Sequence, residues 1–459
     1  MVIDALLVMA IILSCLFFRV VVEEQEIKPF EIIQSAKWYE NKWNVEHCYA
    51  RIMNEGQAYE LLLPNNRWCE DWSPTALGLE FYLELKYGVI LTYYYLFSLC
   101  IAVFFCLGKV LFRSKTAGVM LAVLIGFSSH TEYFSGWWPS YFYLINAYIA
   151  ISLIALYRIL QRETKNMGWW YALLTLSIIA LGHGDFWWAN YGTALFIGLS
   201  IVGAYQAFYK LERGPRLSSI AISWFIVASE WALHIVTRAL YVHSHHRLGH
   251  EEEMIFRYNH TILMVEDFIS NIFTYIYVTV ANFLPTQVIA SNSFELGPDV
   301  IIAGQHNFYF PFSELALHNH LFLWRYAAGV FFTILIYITY RTSVKSFRDP
   351  KEIDILKLFS LAMVWCGMAV NLLIKFRGYL SMPLAFGYKV NVGVVGLGIY
   401  LTIVILEWGD KIKCPRYLLG SLYCAYLVYL AFTKPYYFNL YTEYFGLYIV
   451  ADPLDWFNK

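Results

Sequence analysis

Charge is scarce in this chain of 459 residues, because Asp, Glu, Lys and Arg together make up only 15% of it, against roughly 25% in an ordinary soluble domain. Hydrophobic residues account for 59% of the chain, and the mean hydropathy is +0.50. A water-soluble globular protein is therefore excluded, because a surface cannot be built from so few polar groups.

A basic excess is also missing, since 33 Lys and Arg face 34 Asp and Glu and give a formal net charge of -1. Binding to nucleic acid depends on many cations that neutralise backbone phosphates. We therefore expect no nucleic-acid partner.

Cysteine is sparse, with eight residues in the whole chain. Six of them lie in apolar runs or in one short basic loop and fit a packing role: Cys15, Cys100, Cys106, Cys366, Cys414 and Cys424. Cys48 and Cys69 alone share a long polar segment. An oxidising compartment could join them in a disulfide, and the sequence leaves that pairing open.

Long apolar runs are abundant, and most are close to the 20 residues or so that cross about 30 Å of hydrocarbon. They lie near 5–22, 87–108, 117–129, 139–157, 168–183, 189–209, 217–242, 321–340, 356–374, 385–406 and 417–433. These runs predict an all-α polytopic membrane protein with about eleven transmembrane helices. The first run has no basic residues before it and no small-residue cleavage site after it, so we expect it to be a retained span.

Lys and Arg concentrate in every second short loop, which predicts a cytoplasmic amino terminus and an external or lumenal carboxyl terminus in a plasma membrane or endoplasmic reticulum. A transmembrane domain is expected over 1–433, with a first external loop at 23–85, a long external loop at 243–320 and an external tail at 434–459. Within the long loop, the segment 268–290 is apolar and looks like a span. If it crossed the membrane once, every later loop rich in Lys and Arg would lie on the side opposite to the earlier ones. We expect it to re-enter the membrane or lie in the interface, while a true span compensated by another stays an alternative.

The polar residues of chemical interest collect on the predicted external side. His130 and Glu132 offer nitrogen and oxygen donors to a divalent cation, and Asp185 lies in a flexible turn at the end of an apolar run, GHGDFWW. The loop at 375–389 carries Lys375, Arg377 and Lys389 against the charge rule. These cations fit either a phosphate ligand or snorkelling anchors at two helix ends.

The order of these features resembles the GT-C class of integral-membrane glycosyltransferases. Glu46 takes the position of the acid in the first external loop, followed by Tyr49 and Ala50, and His130-Thr131-Glu132 holds the place of the second acidic motif. The stretch 377–383, RGYLSMP, is similar to the class's outer Arg-Tyr and Pro motif near the donor phosphate. The class usually has Asp where this chain has Glu46, and Glu31 is a competing first acid.

The resemblance implies transfer of a sugar from a polyprenyl-phosphate donor to an acceptor on the external or lumenal face. Glu46 would act as the general base, and His130 and Glu132 would hold Mg²⁺ or Mn²⁺ or orient the acceptor. Arg377, with Lys375 or Lys389, would stabilise the departing phosphate. Tyr379 would line the donor site, and Asp185 is a further candidate acid.

A second hypothesis is a non-enzymatic multi-pass membrane protein. As an assembly subunit, the chain would bind protein partners through the aromatic outer face of its tail, 434–459. As a transporter, it would use the ionisable residues of the run 217–242, where Glu230, His234 and Arg238 recur at helical spacing on one face. For these three residues, the sequence favours a structural charge network over a conduction path.

Overall fold

The computed structural model describes residues 2–17, 89–127, 139–161, 166–182, 187–210, 214–244, 330, 332–346, 348, 352–372 and 391–429. Its first six helices are α1 Val2–Phe17, α2 Val89–Phe112, α3 Lys115–Gly126, α4 Pro139–Leu160, α5 Met167–Gly182 and α6 Trp187–Tyr209. They are followed by α7 Leu217–Ser244, α8 332–346, α9 Glu352–Leu372, α10 Asn391–Lys411 and α11 416–429. No strand occurs in these ranges, so the all-α prediction is confirmed for them.

Within the described residues, four helical stretches are long and apolar enough to cross a membrane, namely Tyr94–Phe112, Tyr143–Leu160, Tyr191–Tyr209 and Val392–Lys411. Other apolar helices, such as α1 and α3, are shorter. Each apolar run identified in the sequence overlaps a helix, whereas the total of about eleven spans stays a prediction. The segment 268–290 lies outside the described residues.

The hairpin of α2 and α3 turns through Arg113 and Ser114 alone. Ser114 is the N-cap of α3, and its side chain accepts a hydrogen bond from the Ala117 N–H, which satisfies one of the donors that a helix start leaves open. The two helices touch at Gly108 and Gly118. A Cβ atom on Gly108 would come within 2.6 Å of the Ala117 carbonyl carbon, so the approach of the two backbones requires glycine there.

We expect Gly108→Ala to lower the free energy of unfolding by about 1 to 3 kcal/mol, because the methyl group meets backbone that can move only with α3 as a whole. Thermal unfolding of the detergent-solubilised protein, followed by tryptophan fluorescence, measures this. Gly168→Ala is the matched control, since a Cβ atom there has open space around it; it should be neutral or slightly stabilising. Equal unfolding temperatures for the two variants would contradict the expectation.

The turns that join α2 to α3, α4 to α5, α6 to α7, α8 to α9 and α10 to α11 form what we call the basic end. Apart from Arg238, every Lys and Arg in the described ranges belongs to these turns or to the helix ends beside them: Lys109, Arg113, Lys115, Arg158, Lys210, Arg216, Arg341, Lys345, Arg348, Lys357, Lys411, Lys413 and Arg416. This alternation follows the pattern in the sequence. The side of a membrane that the basic end faces stays a prediction.

The start of α1 is held at the basic end by Asp4. Its carboxylate binds Lys109 Nζ at 2.5 Å and Lys115 Nζ at 2.9 Å. The hydrogen bond from Lys109, and after it that from Lys115, lowers the pKa of Asp4 to about 2, so the group is ionised at neutral pH. The expected cytoplasmic amino terminus and the first basic loop therefore lie together.

The remaining helices pack as a chain of neighbours around a hydrophobic core. Phe97 of α2 meets Tyr143 of α4 edge to face at 5.0 Å, α4 packs on α5, and α6 packs on both α7 and α9. α9 and α10 form another closely packed pair, and α3 contacts both α1 and α10. Through these contacts α3 lies between the first helix and the last hairpins.

Candidate functional site at the loop end

The residues proposed from the sequence as a site all lie outside the described residues. They are Glu46, Glu132 and Asp185 as acids, His130 as a metal ligand with Glu132, Lys375, Arg377, Tyr379 and Lys389 as donor ligands, and Cys48 and Cys69 as a disulfide. What the structure does describe is the set of helix ends from which their segments leave. We call the end opposite the basic end, where 18–88, 128–138, 183–186, 245–329 and 373–390 join the helices, the loop end.

The segments that carry Glu46 and His130 leave from adjacent helix ends. Near the end of α1, Cys15 lies so close to Gly126, the last residue of α3, that a Cβ atom on the glycine would come within 2.6 Å of the Cys15 Sγ atom. Since Asp4 pairs with Lys115 at the other end of the same helices, α1 runs parallel to α3. The segment that follows Phe17 and the segment that follows Phe127 therefore start side by side.

The segment 373–390, which carries Lys375, Arg377 and Lys389, enters α10 beside the loop end of α3. Gly398, in the first half of α10, receives the side chain of Leu124 and lies near that of Leu121. α10 also pairs with α9, where a Cβ atom on Gly396 would come within 2.7 Å of the Met363 Cβ atom. The two ends that bound the segment 373–390 thus belong to one tight hairpin next to α3.

The Asp185 segment joins the loop end through α6. Gly198 of α6 accommodates the ring of Phe359 of α9, and α6 and α9 share an extensive contact. α6 runs from the loop end to the basic end, and α9 runs from the basic end to the loop end. The start of α6 and the end of α9 therefore both lie at the loop end. The segment 183–186 therefore ends at α6, beside the end of α9 at which the segment 373–390 begins.

A buried polar contact that sequence reasoning missed ties α6 to α4. The Tyr191 and Ser152 hydroxyls lie 2.5 Å apart, and the Tyr191 hydroxyl also donates to the Ile149 carbonyl at 3.3 Å. Both side chains are fully buried, where a hydroxyl requires a partner. The bond fixes the first turn of α6, which follows the Asp185 segment. An isolated Ser and an isolated Tyr in apolar runs give no signal of such pairing in the sequence.

The hairpin of α9 and α10 contains a second polar contact that the sequence did not suggest. Lys357 Nζ lies 2.7 Å from both carboxylate oxygens of Glu407, and Lys357 is only 7% exposed. In the sequence Lys357 closely follows Arg348 and Lys351 and looks like one more cation of that basic loop. The structure instead turns it inward, where its ion pair fixes the register of the two helices that bound 373–390.

Glu230 is a buried carboxylate in the middle of α7, with 5% of its surface exposed. Its Oε1 atom has no hydrogen-bond partner among the described residues. The backbone of α7 places 230, 234 and 238 on one face, as the sequence predicted, but the side chains of His234 and Arg238 lie outside what the structure describes. The charge network proposed for this stripe stays a prediction.

No group of three or more His, Cys, Asp or Glu that could hold a metal ion occurs in the described ranges, and the proposed ligands His130 and Glu132 lie elsewhere. Of the cysteines described, Cys15, Cys100 and Cys366 are buried in the core, Cys414 and Cys424 are half-buried, and Cys106 is exposed. The packing role expected of these residues thus fits three of them fully and Cys106 least.

Comparison of the chain with protein-family models, with curated proteins and with solved structures found no match.

Proposed function

We propose that this chain is a polytopic membrane glycosyltransferase that moves a sugar from a polyprenyl-phosphate donor to an acceptor at the loop end. The observation that supports this most is the contact of α3 with both α1 and α10. Because of it, the segments with Glu46, with His130 and Glu132, and with Arg377 all leave from one set of neighbouring helix ends. A membrane-surface transferase needs such a meeting of an acid with cations.

Each proposed site residue has one role in the transfer reaction. Glu46 takes the proton of the acceptor hydroxyl as that oxygen forms a bond to the anomeric carbon, and the bond from that carbon to the donor phosphate oxygen breaks. Arg377, with Lys375 or Lys389, stabilises the charge on the departing polyprenyl phosphate. Tyr379 lines the donor site, and Asp185 is a further acid near it. His130 and Glu132 supply nitrogen and oxygen donors suited to Mg²⁺ or Mn²⁺, which would orient the reacting groups.

The proposed function includes the topology that the charge pattern predicts. The loop end then faces the exterior or the lumen, the basic end faces the cytoplasm, about eleven helices span the bilayer, and 268–290 lines the lipid groove. The basic residues gathered at one end of the described helices support this orientation. The four helices with the length and composition of a span support membrane insertion.

Donor binding tests the proposal without knowledge of the acceptor. We expect Arg377→Gln to weaken binding of a fluorescent polyprenyl phosphate to the purified protein about tenfold or more, because a charge-assisted contact to phosphate is lost. Arg216→Gln is the matched control, since Arg216 is an exposed arginine at the basic end. It should leave donor binding unchanged. Equal losses in the two variants would contradict a donor site at the loop end.

A further inference from the structure

Three cations at the basic end hold a backbone conformation that L-amino acids rarely adopt. Arg113, Lys210 and Lys413 have φ angles of 51°, 46° and 55°, in the left-handed region that favours glycine. Each follows the last residue or residues of a helix, α2, α6 or α10. Among the described residues other than glycine, Asn166 alone shares a positive φ, and Asn tolerates this region better than Lys or Arg.

The helix ends themselves are of the kind at which glycine is usual. The Cys414 N–H donates to the Gly409 carbonyl at 2.9 Å, which makes Lys413 the left-handed residue of a Schellman motif. The Lys210 N–H donates to the Gln206 carbonyl at 3.1 Å, the single bond of the simpler left-handed cap. A glycine would serve either cap with less strain, so the geometry of the turn does not explain the choice of lysine.

The charges of these three residues are available to an external anion. All three are exposed, and the carboxylates whose side chains are described at this end bind other cations. Asp4 binds Lys109 and Lys115, Glu407 binds Lys357, and Asp410 binds Arg416. The negative end of the helix dipole favours a cation at these positions. The dipole would favour a cation equally at neighbouring positions with ordinary backbone angles, so it does not explain a cation at a left-handed residue.

Exposed aromatic side chains also lie at the basic end. The large exposed rings near the turns of this end are Trp169, Phe208, Tyr340, Trp408 and Tyr417. Exposed Trp and Tyr rings at this position are typical of the headgroup region. Cations beside such rings would lie among lipid phosphates.

We propose that Arg113, Lys210 and Lys413 bind the headgroups of anionic phospholipids in the leaflet at the basic end. The proposal rests on the membrane insertion included in the proposed function and is independent of sugar transfer. Each cation near an anionic surface is expected to favour the anionic lipid about fivefold. The interaction falls with added salt, because exposed charges are screened.

Native mass spectrometry of the full chain from micelles with equal amounts of palmitoyl-oleoyl phosphatidylglycerol and phosphatidylcholine tests this. The parent should carry more phosphatidylglycerol than phosphatidylcholine adducts. In a variant with Arg113→Gly, Lys210→Gly and Lys413→Gly, the ratio of the two adducts should fall at least tenfold. The unfolding temperature of this variant should be unchanged or higher, since glycine relieves the left-handed strain. This second measurement separates lost lipid binding from lost folding.

Two controls make the result specific. Asn166→Gly changes a left-handed residue at the same end without removing charge, and should keep the lipid preference. A variant with Arg113→Lys, Lys210→Arg and Lys413→Arg should also keep it. The proposal is overturned if the triple glycine variant retains the preference, if the parent shows none, or if inorganic phosphate displaces the phosphatidylglycerol, since the last would indicate a site for free anions. Loss of donor binding by Arg377→Gln bears on the proposed function alone.

Discussion

Replacing Glu46 by Gln should lower the rate of sugar transfer by a factor of about 10² to 10⁴, the range that a positioned general base contributes. Gln has the shape of Glu but cannot accept the proton of the acceptor hydroxyl, so binding survives while the chemical step slows. The measurement is transfer of radiolabelled sugar from a polyprenyl-phosphate hexose into the acceptors of native membranes that contain the protein. Because the loss is in the chemical step, it should appear in kcat more than in KM.

Glu31→Gln is the matched control for this experiment, since Glu31 is the competing acid of the same external loop. It should transfer sugar at close to the parent rate. If Glu31→Gln is the inactive variant, the assignment within the loop is wrong while the transferase proposal stands. If both variants transfer sugar like the parent, and both bind polyprenyl phosphate, neither Glu46 nor Glu31 is the base and the proposed mechanism fails.

Much of the helical architecture could be predicted because membrane helices leave a strong mark in composition. Runs such as 189–209 and 217–242 coincide with α6 and α7, since a span has to satisfy its backbone internally and present apolar side chains to lipid. The placement of Lys and Arg at one end could be predicted for a similar reason. Charges are costly in the bilayer and collect in the loops of one side.

The contacts between helices could not be predicted in the same way. Packing in a bilayer depends on small residues and on single hydrogen bonds, and Gly198 under the Phe359 ring or Ser152 beside Tyr191 look like any other residue of an apolar run. For the candidate site, the sequence supplied the residue types and their predicted side, but the adjacency of α1, α3 and α10 comes from Cys15 against Gly126 and Leu124 against Gly398. No periodicity in the sequence encodes those pairs.

Breaking the buried ion pair of α9 and α10 should lower the stability of the protein clearly. Lys357→Ala leaves the Glu407 carboxylate without its cation, and complete burial would make that loss about 3 to 5 kcal/mol. Because the Glu407 side chain keeps 33% exposure, water replaces part of the interaction and we expect about 2 kcal/mol. Thermal unfolding in detergent measures the loss as a lower unfolding temperature. The pair lies at the basic end of the hairpin whose opposite end bounds the segment 373–390, so donor binding should weaken only as far as the hairpin as a whole loosens.

A pair of further variants separates the ion pair from the space it fills. Arg416→Ala removes the partner of Asp410 at the same end, but both of those side chains are about half exposed, so the unfolding temperature should change little. The double variant Lys357→Met with Glu407→Leu should recover most of the stability, since two apolar side chains of similar size replace two charges that each had lost water. Donor binding should recover with it if the pair serves only to hold the hairpin together. If stability returns while donor binding stays low, the ion pair has a role in positioning the 373–390 segment that packing alone cannot replace.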